Sequence, residues 1–256
     1  MEHPDGFEVR SYFVRHRNAL LTRADFGELY VDYYLHLAAN EIKVAADHDR
    51  LFKETLAALT LHLASRPHNE MAAWTVNLQA PPLNLFVTGD NQTGGVTGKI
   101  FTENIKRADR NFFYADVVRG NAPARRSAVE FTGSDIFAAS ETYYRQSEQR
   151  PSRFFPFAGE DYVMVSAQPD CDLDWLTALT DADIRTLDQR EQLSLLEQRR
   201  YRWHCGCDGR RIASLLAPSF KRNPEELFGN AQSLRISCPR CGSRHTITRE
   251  AMEAFN

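Results

Sequence analysis

Four of the five cysteines in this chain crowd into the stretch from Cys205 to Cys241. Cys205 and Cys207 flank Gly206, Cys238 and Cys241 flank Pro239 and Arg240, and thirty residues separate the two pairs. A segment this short cannot bury a sizeable apolar core, and two thiol pairs closing one loop read as a metal site. Zn²⁺ suits such a donor set, because it takes four thiolates in a tetrahedron with no ligand-field preference. The second pair has the turn chemistry of a zinc knuckle: Pro239 fixes one backbone angle and Gly242 can take a positive φ just past the loop. In the first pair one residue separates the thiols, so only a sharp turn aims both at one ion, and Gly206 permits it. His204 and His245 adjoin the pairs and could substitute as ligands; with four thiols at hand they are expected beside the site.

The 256 residues allow one large domain and a small appendage. Hydrophobic residues at 43% and charged residues at 25% are ordinary for a folded globular chain. Met1 to Arg10 is polar and acidic, with no basic stretch leading into an apolar run, and no later segment reaches eighteen uninterrupted apolar residues. The expectation is a soluble, cytoplasmic protein without a leader or membrane span. A reducing compartment also suits free thiols gathered for a metal. The net charge of −3 hides an asymmetry: from Arg199 onward eleven Lys/Arg face five Asp/Glu, a net +6, which leaves the first 198 residues at −9. A basic tail on an acidic body could bind nucleic acid, dock on its own body, or balance a tetrathiolate zinc centre.

Residues 24–39 carry an aromatic stripe, Phe26, Tyr30, Tyr33, Tyr34 and Leu37, at helical spacing. A second helix is predicted from about Asp47 to Ala64, with Leu51, Leu56, Leu59 and Leu63 inward. The period then changes to two. Strands are predicted around Trp74–Leu78, Leu83–Val87, Val96–Thr102, Phe112–Val118 and Arg125–Thr132, with a turn at Gly89–Gly95. A helix from Asp135 to Gln149, capped by Ser134, precedes a hairpin, Phe154–Phe157 with Tyr162–Ala167. Helices are then predicted at Leu173–Leu179 and Asp183–Tyr201, the second charge-dense and marginal unless packed. The final stretch reads as a helix near Arg210–Leu216, a short helix after Pro224, and strands Leu234–Ser237 and His245–Thr248 around the second cysteine pair. The fold class is therefore α+β, with a mostly antiparallel sheet core and packed helices over 1–167, a helical linker over 168–203, and a small zinc-binding α+β module over 204–256.

Other chemistry fails on detail. Gly94 to Lys99 lacks the first glycine and final Ser/Thr of a phosphate loop, with Thr93 and Ile100 in those places. His68 and Glu70 with a later cysteine pair lack the proline a zinc deaminase sets before its first cysteine, where Ser237 stands. No catalytic constellation emerges, so an enzyme is not expected. Cys171 sits between Asp170 and Asp172, whose charges should suppress its thiolate.

The cysteine spacing resembles the redox-switch domain of the heat shock protein 33 family of molecular chaperones. A second stretch supports the resemblance: Tyr144, Arg145, Gln146, Ser147, Glu148, Gln149, Arg150, Pro151, Ser152, Arg153 and Phe154 are similar to the family's aromatic-x-x-Ser-Glu-Gln-x-Pro-Thr-Arg segment. Two departures stand out: Ala80, Pro81 and Pro82 replace a glycine-rich turn, and Gln168 to His204 is short for the family's metastable linker. The resemblance implies an ATP-independent holdase, idle when reduced and zinc-bound. Oxidation of Cys238 and Cys241, then of Cys205 and Cys207, would form two disulfides and expel the zinc. Linker and module would then loosen and capture unfolding client proteins, with a homodimer as one form the activated protein could take. Energetics agree, since structural zinc supplies on the order of 10–16 kcal/mol to a small module and whole-domain stability is only about 5–15 kcal/mol. The alternatives are a nucleic-acid-binding zinc module and a constitutive protein-binding protein with purely structural zinc.

Overall fold

The computed structural model describes residues 6–105 and 107–254. Residues 1–5, within the polar Met1 to Arg10 stretch, lie outside the described residues, as do Lys106 and the module's last two residues. Strands β1 (Phe7–Val14) and β2 (Ala19–Asp25) lead into helices α1 (Gly27–Ala39) and α2 (Ala46–Ala64). A run of strands follows: β3 (Glu70–Gln79), β4 (Pro82–Asp90), β5 (Gly95–Phe101), β6 (Asn111–Arg119) and β7 (Arg125–Phe131). Next come α3 (Ile136–Tyr143), a π-helical turn (Tyr144–Glu148), β8 (Ser152–Phe157) and β9 (Asp161–Ala167). Three short helices, α4 (Leu173–Ala178), α5 (Asp181–Arg185) and α6 (Leu187–Arg190), precede the long strand β10 (Leu193–Trp203). Among the described residues ten strands form one sheet, in the order β7-β6-β3-β4-β5-β10-β1-β2-β9-β8. All its pairings are antiparallel except β10 with β5. The α+β class and the strands from β3 to β9 match the pattern expected from the sequence.

The main core lies where α1, α2 and α3 cover the sheet. Leu51, Leu56, Leu59 and Leu63 of α2 are fully or almost fully buried there, with Phe26, Tyr30 and Tyr33 from α1 and Trp74, Val76 and Leu78 from β3. Tyr34 of the aromatic stripe is exposed, and its hydroxyl donates to Asp49 at 2.6 Å. A second cluster joins Leu176, Leu179, Ile184 and Leu187 of α4–α6 to Val163 and Val165. Tyr162 and Met164, the alternate residues of β9, belong to the main core instead. That is the period-two signature of a strand buried on both faces.

Three expectations need correction. The helix predicted over Asp183–Tyr201, and with it the wholly helical linker over 168–203, gives way to α5, α6 and strand β10 in the middle of the sheet. The strand was disguised in two ways. Its register slips between Ser11 and Tyr12 of β1, so Leu196 is an extra, bulged residue that breaks the alternation. Its half-buried Arg199 is also long and charged. The guanidinium donates to the carbonyls of Leu63 and Arg66 at 3.2 and 2.6 Å, satisfying orphan acceptors at the end of α2. Second, Asp135 rather than Ser134 caps α3, its carboxylate accepting from the Ala138 amide at 3.0 Å. Third, that helix keeps α geometry only to Tyr143. The π-helical turn continues to Glu148 and ends at Gln149 with φ of 52°. Strands β1 and β2 were not anticipated.

The π-helical turn explains why Ser147 and Glu148 stand where they do. Glu148, nearly buried, pairs with Arg66 beyond α2 and with Arg125 of β7 at 2.9 Å, and accepts from the Tyr143 hydroxyl at 2.9 Å. Ser147 donates to Ser127 at 2.7 Å. Glu70, also buried, pairs with Arg66 and Arg119. Removing Glu148 leaves Arg66 with Glu70 alone and the Tyr143 hydroxyl without its acceptor. Glu148→Ala should therefore cost about 1–3 kcal/mol in urea unfolding, whereas Arg110→Ala, at the exposed pair with Glu130, should leave the midpoint nearly unchanged.

Candidate metal centre

Strand β10 ends at Trp203 and the chain turns at once into the first cysteine pair. Gly206 takes φ of 67°, the left-handed region that the sharp turn requires. Helix α7 (Gly209–Arg222) follows, capped by Asp208, whose carboxylate accepts from the Arg211 amide at 2.6 Å. Asn223 caps the short α8 (Pro224–Phe228), with Pro224 at its first position. The hairpin of β11 (Ser233–Ser237) and β12 (Arg244–Thr248) carries the second pair in its turn, and α9 (Arg249–Glu253) closes the module. In that turn Cys238 donates its amide to Ser243 at 2.8 Å and Gly242 donates to Cys238 at 2.9 Å, with Gly242 at φ of 81°. Ile212, Phe220, Phe228, Ile247 and Met252 give the module a small core of its own.

The four Sγ atoms of Cys205, Cys207, Cys238 and Cys241 all lie within 4.8 Å of one another. Cys205 and Cys238 are 3.7 Å apart, and Cys207 and Cys241 3.6 Å. A tetrahedron with metal–sulfur bonds of about 2.3 Å requires sulfurs about 3.8 Å apart, so the group is sized to hold a metal ion. Cys171 is not part of it. Burial is the first cause pushing the Cys171 thiol up, with Asp172 adding to it and the Gln168 contact opposing. The predicted direction holds, but the leading cause differs.

Four thiols this close cannot all ionise without a cation to offset them. Cys241 is held below the usual thiol range, first by its hydrogen bond with Cys205 and then by the Ser243 hydroxyl and amide at 3.1 and 3.4 Å. Cys205 is pushed up by the same contact with Cys241, and Cys207 by burial and by repulsion from Cys241. His245 Nε2 lies 3.4 Å from Cys207 Sγ, at the edge of the sulfur group. The His204 amide donates to the Val96 carbonyl at 3.0 Å, tying the entrance of the cluster to β5.

The knuckle also rests on the body. His36 Nε2 donates to the Cys241 carbonyl at 2.8 Å, while Asn40 Nδ2 sits 3.5 Å from His36 Nδ1. The Arg244 amide donates to Asn40 Oδ1 at 2.9 Å and its guanidinium to Glu41 at 2.5 Å. Of the three roles open to the basic tail, this last contact is docking on its own body. A Cβ on Gly242 would lie 2.9 Å from Ile42 Cδ1, so glycine serves both the turn and the close approach. Trp203 packs 5.2 Å from the rings of both Tyr33 and His36. Sequence reading missed His36 and Asn40. Their spacing from Tyr33, three and seven residues, marks one face of α1 and was the available signal.

A family model described as "Hsp33 protein" matches residues 37–248. The chain belongs to the Hsp33 family. It is 29% identical over 155 residues to a 33 kDa chaperonin of Edwardsiella ictaluri, covering 51% of this chain and 53% of that protein. It thus spans about half the length of that curated relative. A 33 kDa chaperonin of Proteus mirabilis is 24% identical over 221 residues, covering 71% and 75%. The crystal structure of the 33 kDa chaperonin from Thermotoga maritima superposes with a TM-score of 0.70, covering 98% of this chain and 97% of the other at 11% identity. At that identity the likeness is one of Hsp33 fold. No helix among the described residues is long and apolar enough to cross a membrane.

Elemental analysis of reduced protein should find about one tightly held metal ion per chain, the stoichiometry of a closed four-sulfur site. Cys207→Ala and Cys238→Ala should lose it, and Cys171→Ala should keep it.

Proposed function

We propose that this Hsp33-family chain is a redox-regulated holdase that works without ATP, with Zn²⁺ in the four-cysteine site as its clasp. The observation that carries this reading is the convergence of four sulfurs two residues after Trp203, the end of the sheet's central strand. Zinc bound there would supply a crosslink between the start of the module and its knuckle, with Cys205, Cys207, Cys238 and Cys241 as ligands. Family membership and the names of the relatives support a chaperone.

The residues account for how such a clasp could govern the body. Strand β10 joins β5 through only two residue pairs, Arg202 with Gly95 and Trp203 with Val96. Those pairs directly precede Cys205, so whatever holds the module docked also holds this seam. Oxidation removes the ligands in balanced steps. A thiolate attacks peroxide, the O–O bond breaks, and the departing hydroxide takes up a proton as water. The resulting sulfenic acid is attacked by a second thiol, which releases water and forms the disulfide. The family resemblance assigns this to Cys238 with Cys241 first, then to Cys205 with Cys207.

Loss of all four thiolates frees the module from its crosslink. Trp203 can then leave Tyr33 and Phe52, and apolar surface around Val96 and Tyr201 becomes available to unfolding clients. Leu195 and Leu196 need no such release, being already 52% and 59% exposed. In this reading residues 1–167 form the client-binding body, 168–203, with β10 at its end, the element that loosens, and 204–256 the switch. A reducing cytoplasm would keep it idle.

Light scattering of a heat-unfolding client tests the proposal. Reduced protein should give little protection, and peroxide with mild heating should release zinc and suppress aggregation together. Equal, negligible protection in both states would remove the reading.

A further inference from the structure

A cavity of about 520 Å³ lies between the knuckle and the body, within the range of about 300–1,000 Å³ typical of small-ligand sites. Half-buried Trp203, packed on the buried Tyr33 and Phe52, gives it aromatic surface, and Ile42 and Ile100 add aliphatic wall. Cationic groups reach it from separate elements: Lys43 from the α1–α2 connection, Lys99 from β5 and Arg244 from the knuckle. Arg244 is neutralised by Glu41. The two lysines make no ion pair among the described residues, and Lys99 Nζ sits 5.0 Å from the Phe101 ring centroid, a contact that uses none of its charge on a carboxylate. The net result is an apolar, aromatic chamber with two uncompensated positive charges. A second cavity, of about 710 Å³, stands beside the β4–β5 turn. There Glu8 and Glu197 offset the lining arginines, and His68 pairs with Glu197 at 2.5 Å, so no such preference arises.

We infer that the knuckle–body cavity binds a small amphipathic anion, an aromatic carboxylate with its ring against Trp203, Ile42 and Ile100 and its charge toward Lys43 and Lys99. Apolar burial supplies affinity and the lysines supply sign selectivity. Because Ser237, Cys241, Gly242 and Arg244 form one wall and α1, α2 and β5 the others, the site is whole only while the knuckle is docked. A ligand that binds only the docked form stabilises it by mass action, so at ten times its Kd it lowers the opening equilibrium about tenfold. Binding itself is independent of the proposed chaperone role; its effect on peroxide-driven zinc release rests on that role's clasp.

Calorimetry on reduced, metal-loaded full chain, with naphthoate as probe and naphthol as its neutral counterpart, tests the assignment. Naphthoate should bind one site saturably. Affinity should fall about tenfold or more for naphthol and for Lys99→Glu, and recover in Lys99→Arg, since the charge and not the fold is what changed. Saturating naphthoate should slow peroxide-driven zinc release by a comparable factor. Equal affinity for naphthoate and naphthol, or undiminished naphthoate binding in Lys99→Glu, would overturn it; binding that survives metal stripping unchanged would instead remove the clasp and leave the cavity assignment standing. Charge-selective naphthoate binding in a protein that never protects clients would sink the chaperone reading and leave the cavity assignment standing.

Discussion

The sheet depends on one seam. Strand β10 meets β1 along eight residue pairs but meets β5 through two, so the two halves of the ten-stranded sheet are joined at the end of β10 nearest the cysteines. The Arg202 amide donates to the Gly94 carbonyl and the His204 amide to the Val96 carbonyl, at 2.9 and 3.0 Å, and these two hydrogen bonds finish that junction. Tyr201 secures it from within: the buried hydroxyl donates to Asn91 at 2.8 Å, and Asn91 in turn donates to the carbonyls of Leu63 and Pro67. A short parallel contact is weak on its own. The fold reinforces it from both ends, through α2 behind and the docked module ahead.

That arrangement gives the metal-sized sulfur cluster a mechanical meaning. The module has a modest core, and crosslinking by an ion worth on the order of 10–16 kcal/mol would contribute more than such a core can alone. Docking adds specific contacts at one end of α1, where His36, Asn40 and Glu41 meet Cys241 and Arg244. Trp203 lies between the two, touching Tyr33, His36 and Phe52. The sulfur cluster, the docking contacts and the sheet seam are therefore neighbours along both the chain and the structure.

Much of this was legible in residue order. The cysteine spacing, Gly206 and Gly242 specified the cluster because metal geometry leaves few ways to arrange four thiols. The strands β3 to β9 declared themselves through alternation, and α2 through its leucines. What failed to show was long-range. Arg199 looks like a solvent residue until α2 supplies two carbonyls for it, and a bulge at Leu196 breaks the alternation of β10. Glu148 looked like part of an ordinary helix end, although a π-helical turn places it against Arg66 and Arg125. In each case the deciding partner comes from a distant part of the chain, beyond the reach of local periodicity.

Hydrogen exchange at the β10–β5 seam tests the link between clasp and sheet most directly. On peroxide-driven loss of metal, the amides of Arg202 and His204 should lose their protection while central amides of β3 and β4, such as that of Val76, keep theirs. Full protection of Arg202 and His204 in metal-free, oxidised protein would contradict a clasp that holds the central strand in place.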